Sequence, residues 1–138
     1  MSILDKLNDK QREAAAKIEG ALLILAGAGS GKTRTITYRI AHMIDEIGIS
    51  PYKILAVTFT NKAAKEMKER VESLVGEDAK RVMISTFHSF GLRLLRVYGD
   101  RLGYNANFTI YDTDDQKRVA KNIMKDLVVK DKNLKEGL

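Results

Sequence analysis

The sequence predicts an α/β fold, with a parallel sheet flanked by helices. Three observations predict it. Short apolar runs alternate with longer segments whose apolar residues recur at helical spacing. The first three runs are apolar over most of their length, as in strands buried on both faces. A glycine-rich turn stands between the first run and the first helical stripe.

In chain order, "LNDKQREAA" (7–15) opens a helix, with Asn8 as N-cap and Gln11 three residues on, a capping-box pattern. "ALLILA" (21–26) is the first expected strand. Ile36, Ile40, Met43 and Ile47 mark the next helix. Pro51 precedes the second expected strand, "ILAVTF" (54–59), where it can start a strand without breaking a ladder. Ala63, Met67, Val71 and Leu74 form another helical stripe, then "VMIST" (82–86) a third strand. Phe87, Phe90, Leu94 and Tyr98 mark the following helix. "NFTIY" (107–111) is a shorter and more polar fourth strand. Val119, Ile123 and Leu127 mark the last helix, which Thr113 and Gln116 open as a second capping box. "VVKDKNLKEGL" closes no recognisable unit, so the chain reads as part of a longer one.

The 138 residues suffice for a core, and 44% apolar content favours folding over disorder. With no cysteine, disulfides and thiolate metal sites are excluded. No apolar run approaches the roughly 20 residues that span a bilayer, and the charged N-terminus lacks a signal-peptide core. The expectation is a soluble, cytoplasmic protein without a membrane partner. A net charge of +6 suits a polyanionic partner such as nucleic acid, and equally a lysine-rich solvated surface.

"AGAGSGKTR" (26–34) carries the sharpest chemistry. It fits [Ala/Gly]-x-x-x-x-Gly-Lys-[Ser/Thr], with Ala26 first and Ala28 and Ser30 among the free positions. Gly27, Gly29 and Gly31 let the backbone turn its N–H groups toward phosphate oxygens. Lys32 would reach the β- and γ-phosphates, and the Thr33 hydroxyl would ligate Mg²⁺. The helix that starts near Gly31 adds its positive N-terminal end. The expected ligands are ATP and Mg²⁺. Gln11 is a cap on its local pattern, yet its carboxamide also matches the N6/N7 edge of adenine. Arg34 either stacks on that base or is a solvated helix residue.

Two strand ends share a plan. "AVTFTNKAAKEM" and "MISTFHSFGLRL" each run from an apolar strand through Thr-Phe and polar residues into a helix. Ligands of open α/β sheets bind at the carboxyl ends of strands. Thr58, Phe59, Thr60, Asn61 and Lys62 would stand there, with Thr86, Phe87, His88 and Ser89 beside them. Such groups contact a nucleic-acid backbone, and an exposed aromatic stacks bases. Against this, Phe87 begins the stripe of Phe90 and Leu94 and suits the core, and His88 suits a helix cap. Lys62, Lys65, Lys68 and Arg70 suit a solvated helix face.

Taken together, "LNDKQREAA", "AGAGSGKTRT", "VTFTNKAAKEMKER" and "ISTFHSFGLRLLR", in this order and spacing, resemble the N-terminal part of UvrD/PcrA/Rep-type superfamily 1 DNA helicases. "FTIYDTDDQ" resembles the family's passage out of its first RecA-like domain toward an inserted helical subdomain. The resemblance implies a P-loop NTPase (RecA-like) parallel sheet, incomplete here, over residues 1–111, with a helical subdomain beginning at 112–138. It makes Gln11 the adenine-reading residue and Arg34 the arginine packed on adenine. It places Phe59, Thr60 and Asn61, with Thr86, Phe87 and His88, along a single-stranded DNA track. It implies an ATP-dependent 3′–5′ helicase acting on single-stranded DNA and duplex junctions.

Hydrolysis needs an acidic residue to hold Mg²⁺ and a carboxylate to orient water. Asp112, Asp114 and Asp115 are poor candidates, because the run before them is short and polar. In such helicases the Asp-Glu pair and most of the arginines lie further along the chain. The 138 residues alone are expected to bind nucleotide weakly without turning it over. Two other readings compete: a small P-loop kinase, and a stand-alone P-loop nucleotide- or DNA-binding module.

Overall fold

The computed structural model describes residues 1–29 and 31–127. It divides into two compact units, the first from Met1 to Leu94 and the second from Leu95 onward.

The first unit begins with a 3-10 turn at Ile3–Lys6, tied down by the residue that ends α2. Glu46 accepts from the Ser2 hydroxyl at 2.9 Å and from Ile3 N–H at 2.6 Å. Helix α1 (Asp9–Ala16) starts at Asn8, whose side chain accepts from Gln11 N–H at 2.9 Å. The Gln11 carbonyl accepts from Asn8 N–H at 3.2 Å, so the expected capping box is formed. Helix α2 spans Lys32–Asp45 and α3 spans Asn61–Val75. Strands β1 (Leu55–Thr58) and β2 (Met83–Thr86) pair in parallel, Leu55 opposite Met83 and Thr58 opposite Thr86. Helix α4 (Phe87–Tyr98) follows β2 without a loop. A parallel pair needs a long crossover, and α3 provides it.

The core lies where α2, α3 and the strands meet. Ile40 and Ile44 of α2 pack with Met67 and Val71 of α3, Ile54, Val82 and Ile84. Val71 is fully buried and Ile84 is 2% exposed, each stabilising the unit by roughly 1.5–3 kcal/mol. A smaller cluster joins Leu4 and Leu7 to Ala15 and Tyr38, and so holds α1 against α2.

In the second unit a 3-10 turn (Gly99–Leu102) ends at Gly103, whose φ of +86° favours glycine. Helix α5 spans Thr113–Asp126. Arg96 donates to the carbonyls of Ala106 and Phe108, and its guanidinium lies 4.3 Å from the Phe108 ring centroid.

Four expectations require correction. Residues 21–26 have no regular secondary structure and join no ladder among the described residues, and Leu23 and Leu25 are exposed. An apolar run becomes a strand only beside a neighbour, and β1 pairs with β2 alone. Residues 107–111 are likewise not a strand; Arg96, rather than a ladder, takes the Phe108 carbonyl. Pro51 opens a 3-10 turn (Pro51–Lys53), and the strand starts later, at Leu55. The cap of α5 sits one residue earlier than expected: Asp112 accepts from Asp115 N–H at 2.7 Å, and Asp115 closes the box on Asp112 N–H. An aspartate is the better N-cap and leaves Thr113 inside the helix.

Candidate functional site

The glycine-rich turn leads directly into α2. Gly29 has φ +73° and Gly31 φ +83°, both in the left-handed region where a side chain is strained. Gly31 is the N-cap of α2, and it has no side chain to offer the first N–H groups of the helix. It is also pressed against α1, since a Cβ there would meet Gln11 Nε2 at 2.5 Å. Ser30 lies outside the described residues.

Two cavities meet at Lys32. One, of about 300 Å³, is lined by Gly29, Gly31, Lys32, Thr33, Arg34 and Arg70. Its cations and the open N-terminus of α2 suit a polyphosphate. The other, of about 180 Å³, is lined by Gln11 and Ala26 together with Ala14, Ile24 and Leu25. Its apolar walls and the Gln11 carboxamide suit the flat face and polar edge of a base. Gln11 and Lys32 are therefore neighbours at one site, and Lys32 joins them to Gly29, Gly31, Thr33 and Arg34. Gly27 and Ala28 belong to the same turn.

Arg34 is not a free solvated residue. It donates to the Lys6 carbonyl at 2.8 Å and lies 4.9 Å from the Tyr38 ring centroid. It shares no cavity with Gln11 among those described. The stacked role on adenine requires it to leave those partners.

Arg70 is the residue that sequence reasoning missed. Assigned from the sequence to a solvated face, it lines the cradle cavity from α3. Glu66, one turn back, holds it at 2.5 Å. The available signal is its place beside Val71 and three residues after Met67, which turns it toward α2 rather than away.

At the carboxyl end of the sheet the parallel register has a direct consequence. Thr58 stands opposite Thr86, so the next residues, Phe59 and Phe87, are neighbours. Their ring centroids are 5.3 Å apart, tilted by 42°. Phe59 is 89% exposed and Phe87 50%. Phe87 is therefore not a core residue, because α4 presents its first residue beside Phe59.

The threonines around this pair shape the turns. Thr58 and Thr86 are buried. Thr58 donates to the Thr60 carbonyl at 3.0 Å. Thr60 caps α3 by accepting from Ala63 N–H at 3.1 Å, and Thr86 accepts from Ser89 N–H at 3.1 Å. Thr86 thus takes the capping role that the sequence suggests for His88. His88 is exposed, as are Asn61 and Lys62. Among the described residues no group of three His, Cys, Asp or Glu is placed to hold a metal, and no helix is long and apolar enough to cross a membrane.

Comparison with known proteins fits this geometry. Residues 7–137 match the UvrD/REP helicase N-terminal domain. Over 124 residues the chain is 57% identical to the ATP-dependent DNA helicase PcrA of Staphylococcus epidermidis (strain ATCC 35984), and 56% identical to that of Staphylococcus aureus (strain Mu50). Each match covers 90% of this chain and 17% of the relative's length. The chain belongs to the UvrD/REP helicase family, within the N-terminal domain.

Proposed function

We propose that this chain is the ATP-binding N-terminal part of an ATP-dependent DNA helicase that moves 3′–5′ on single-stranded DNA. One observation carries the reading. Helix α3 borders both candidate sites: it starts at Thr60, beside the exposed Phe59–Phe87 pair, and its Arg70 lines the cradle. About ten residues of helix separate the two ends by about 15 Å. A shift of α3 driven at one site is felt at the other.

In this reading the left-handed glycines and the first N–H groups of α2 hold the β- and γ-phosphates of ATP. Lys32 supplies charge to them, and the Thr33 hydroxyl holds Mg²⁺. When bound there, Mg²⁺ would supply positive charge against the phosphate oxygens. Gln11 reads the adenine edge, and Arg34 packs on the base once released from Lys6. Phe59 and Phe87 stack bases of the DNA strand. Thr58, Thr60, Asn61, Lys62, Thr86 and His88 shape its backbone track, the threonines by setting the turns.

The relatives are far longer than this chain, and the rest of the reading depends on that length. Residues 1–111 form part of a RecA-like domain, and 112–138 begin an inserted helical subdomain. Segment 21–26 gains ladder neighbours in the longer protein. That protein also supplies the Asp-Glu pair and further arginines, and it engages duplex junctions in the cytoplasm. Asp112 and Asp115 are occupied in capping α5 and do not serve hydrolysis. The 138 residues alone bind ATP·Mg²⁺ weakly and do not turn it over.

Calorimetry of ATP·Mg²⁺ binding tests the core of the proposal. Lys32→Ala is expected to weaken binding by about 10- to 100-fold, the loss of a charge-assisted contact. Unchanged affinity would remove the cradle from nucleotide binding.

A further inference from the structure

Building on the nucleotide site proposed above, we propose that residues 2–8 form a strap that Arg34 holds in the nucleotide-free chain and that a bound base releases. Arg34 is then a positioning residue before the nucleotide arrives, and the nucleotide moves the amino-terminal segment when it takes Arg34 away.

The strap is fastened to α2 at two places. Glu46, which ends the helix, accepts from the Ser2 hydroxyl at 2.9 Å and from Ile3 N–H at 2.6 Å. Arg34, in the first turn of the helix, donates to the Lys6 carbonyl at 2.8 Å. Between the two, Leu4 and Leu7 pack with Ala15 and Tyr38. Tyr38 also faces the Arg34 guanidinium, 4.9 Å from its ring centroid. The fastenings differ in what else they touch. Arg34 lines the cradle cavity, and Glu46 lines none of the cavities described.

Both residues that the proposed function gives to the base are engaged on this one segment. Arg34 holds Lys6, and the Gln11 carbonyl accepts from Asn8 N–H at 3.2 Å. Arg34 shares no cavity with Gln11 among those described, so it cannot reach a base beside Gln11 while it holds Lys6. An adenine N6 amine would draw on the same Gln11 oxygen. A base therefore competes for the ties on Lys6 and Asn8 together, and Glu46 keeps its hold on Ser2 and Ile3. The Leu4 and Leu7 packing confines the release to the Arg34 end. By the same competition, the tie to Lys6 lowers the affinity of the free chain for a nucleotide.

The Lys6 carbonyl and the Leu7 N–H belong to one planar peptide group. That N–H donates to the Leu4 carbonyl at 3.0 Å. Exchange of the Leu7 amide therefore reports the Arg34 fastening, and exchange of the Ile3 amide reports the Glu46 fastening.

Hydrogen exchange on the whole 138-residue chain, read amide by amide by NMR beside calorimetry, tests the proposal. Saturating ATP·Mg²⁺ is expected to speed exchange at Leu7 by about tenfold, the scale of one lost charge-assisted bond, and to leave Ile3 unchanged. Inorganic triphosphate with Mg²⁺ carries no base and should leave Leu7 protected. Arg34→Ala should speed Leu7 exchange in the free chain, and ATP·Mg²⁺ should then add nothing. If Arg34→Ala lowers the melting temperature, Arg34→Lys, which keeps one donor, should restore part of the protection. Three results would overturn the proposal: ATP binding without faster exchange at Leu7, equal release by triphosphate, or wild-type protection of Leu7 in free Arg34→Ala. Absence of any heat of ATP binding would overturn the nucleotide reading and the strap together, a result distinct from binding without release.

Discussion

The start of α2 differs from the starts of the helices around it. Asn8 caps α1, Thr60 caps α3 and Asp112 caps α5, each with a side-chain oxygen on a backbone N–H. Thr86 does the same for Ser89 at the head of α4. Gly31, at the head of α2, has no such oxygen. The capped helices satisfy their first donors inside the molecule, and α2 presents its donors to a cavity lined with Lys32, Arg34 and Arg70. The difference separates helix starts capped from within the fold from one that has no side-chain cap and that the proposed nucleotide site would use. It also explains why glycine rather than serine or threonine stands there.

The sharpest way to break that comparison is Gly31→Ala. At φ +83° alanine is strained by about 1–3 kcal/mol. Its Cβ would also displace the Gln11 amide, and with it the bond from Asn8 N–H to Gln11. Nucleotide binding should be lost and the melting temperature should fall. Retention of both would show that the left-handed turn is not required. Phe59→Ala acts at the other end of α3. Base stacking contributes about 1–3 kcal/mol per base, so oligo(dT) affinity of the longer protein should fall by roughly 5- to 150-fold. With Phe59 89% exposed, the melting temperature should barely move. Wild-type affinity would remove Phe59 from the track.

Thr60→Ala sharpens the comparison from the capped side. It removes the acceptor for Ala63 N–H and should destabilise the first unit by about 1 kcal/mol, measured by urea unfolding. ATP binding should be preserved apart from that loss. An equal loss of nucleotide affinity would mean that capped and uncapped starts are coupled through α3.

These contrasts also show what is legible in the sequence. Helices are legible as apolar stripes, because burying one face of a helix is a local pattern: Ile40, Met67 and Val71 meet in the core as expected, whereas Ile36 and Ile47 of the expected stripe are exposed and Ile44 is buried instead. The cradle is legible because glycine at left-handed positions has few substitutes. Segment 21–26 misleads because strand formation depends on a neighbour, which no local pattern reports. Arg70 is hidden for a related reason. Its helix is legible, but the packing of α3 on α2 that brings it to the cradle is a tertiary fact. The exposure of Phe87 likewise follows from the register of β1 on β2.

The smallest expected effect concerns Asp112, which caps α5 with a charge where Thr60 uses a neutral hydroxyl. The Asp115 N–H that it accepts holds its carboxyl below the ordinary carboxylate range. A depressed carboxylate contributes stability that is fully present above its unfolded pKa of about 3.9. That contribution is lost as pH falls through the lower folded value. Helicity of the second unit should therefore hold at neutral pH and fray in acid, followed by circular dichroism. Asp112→Asn keeps a good N-cap without a titrating group, so the part of the acid transition that belongs to α5 should flatten. Thr60 has no charge to lose, and amide exchange at the head of α3 should not follow this transition. Acid fraying of α5 that is identical in the wild type and in Asp112→Asn would mean that the charge of Asp112 adds nothing to its geometry.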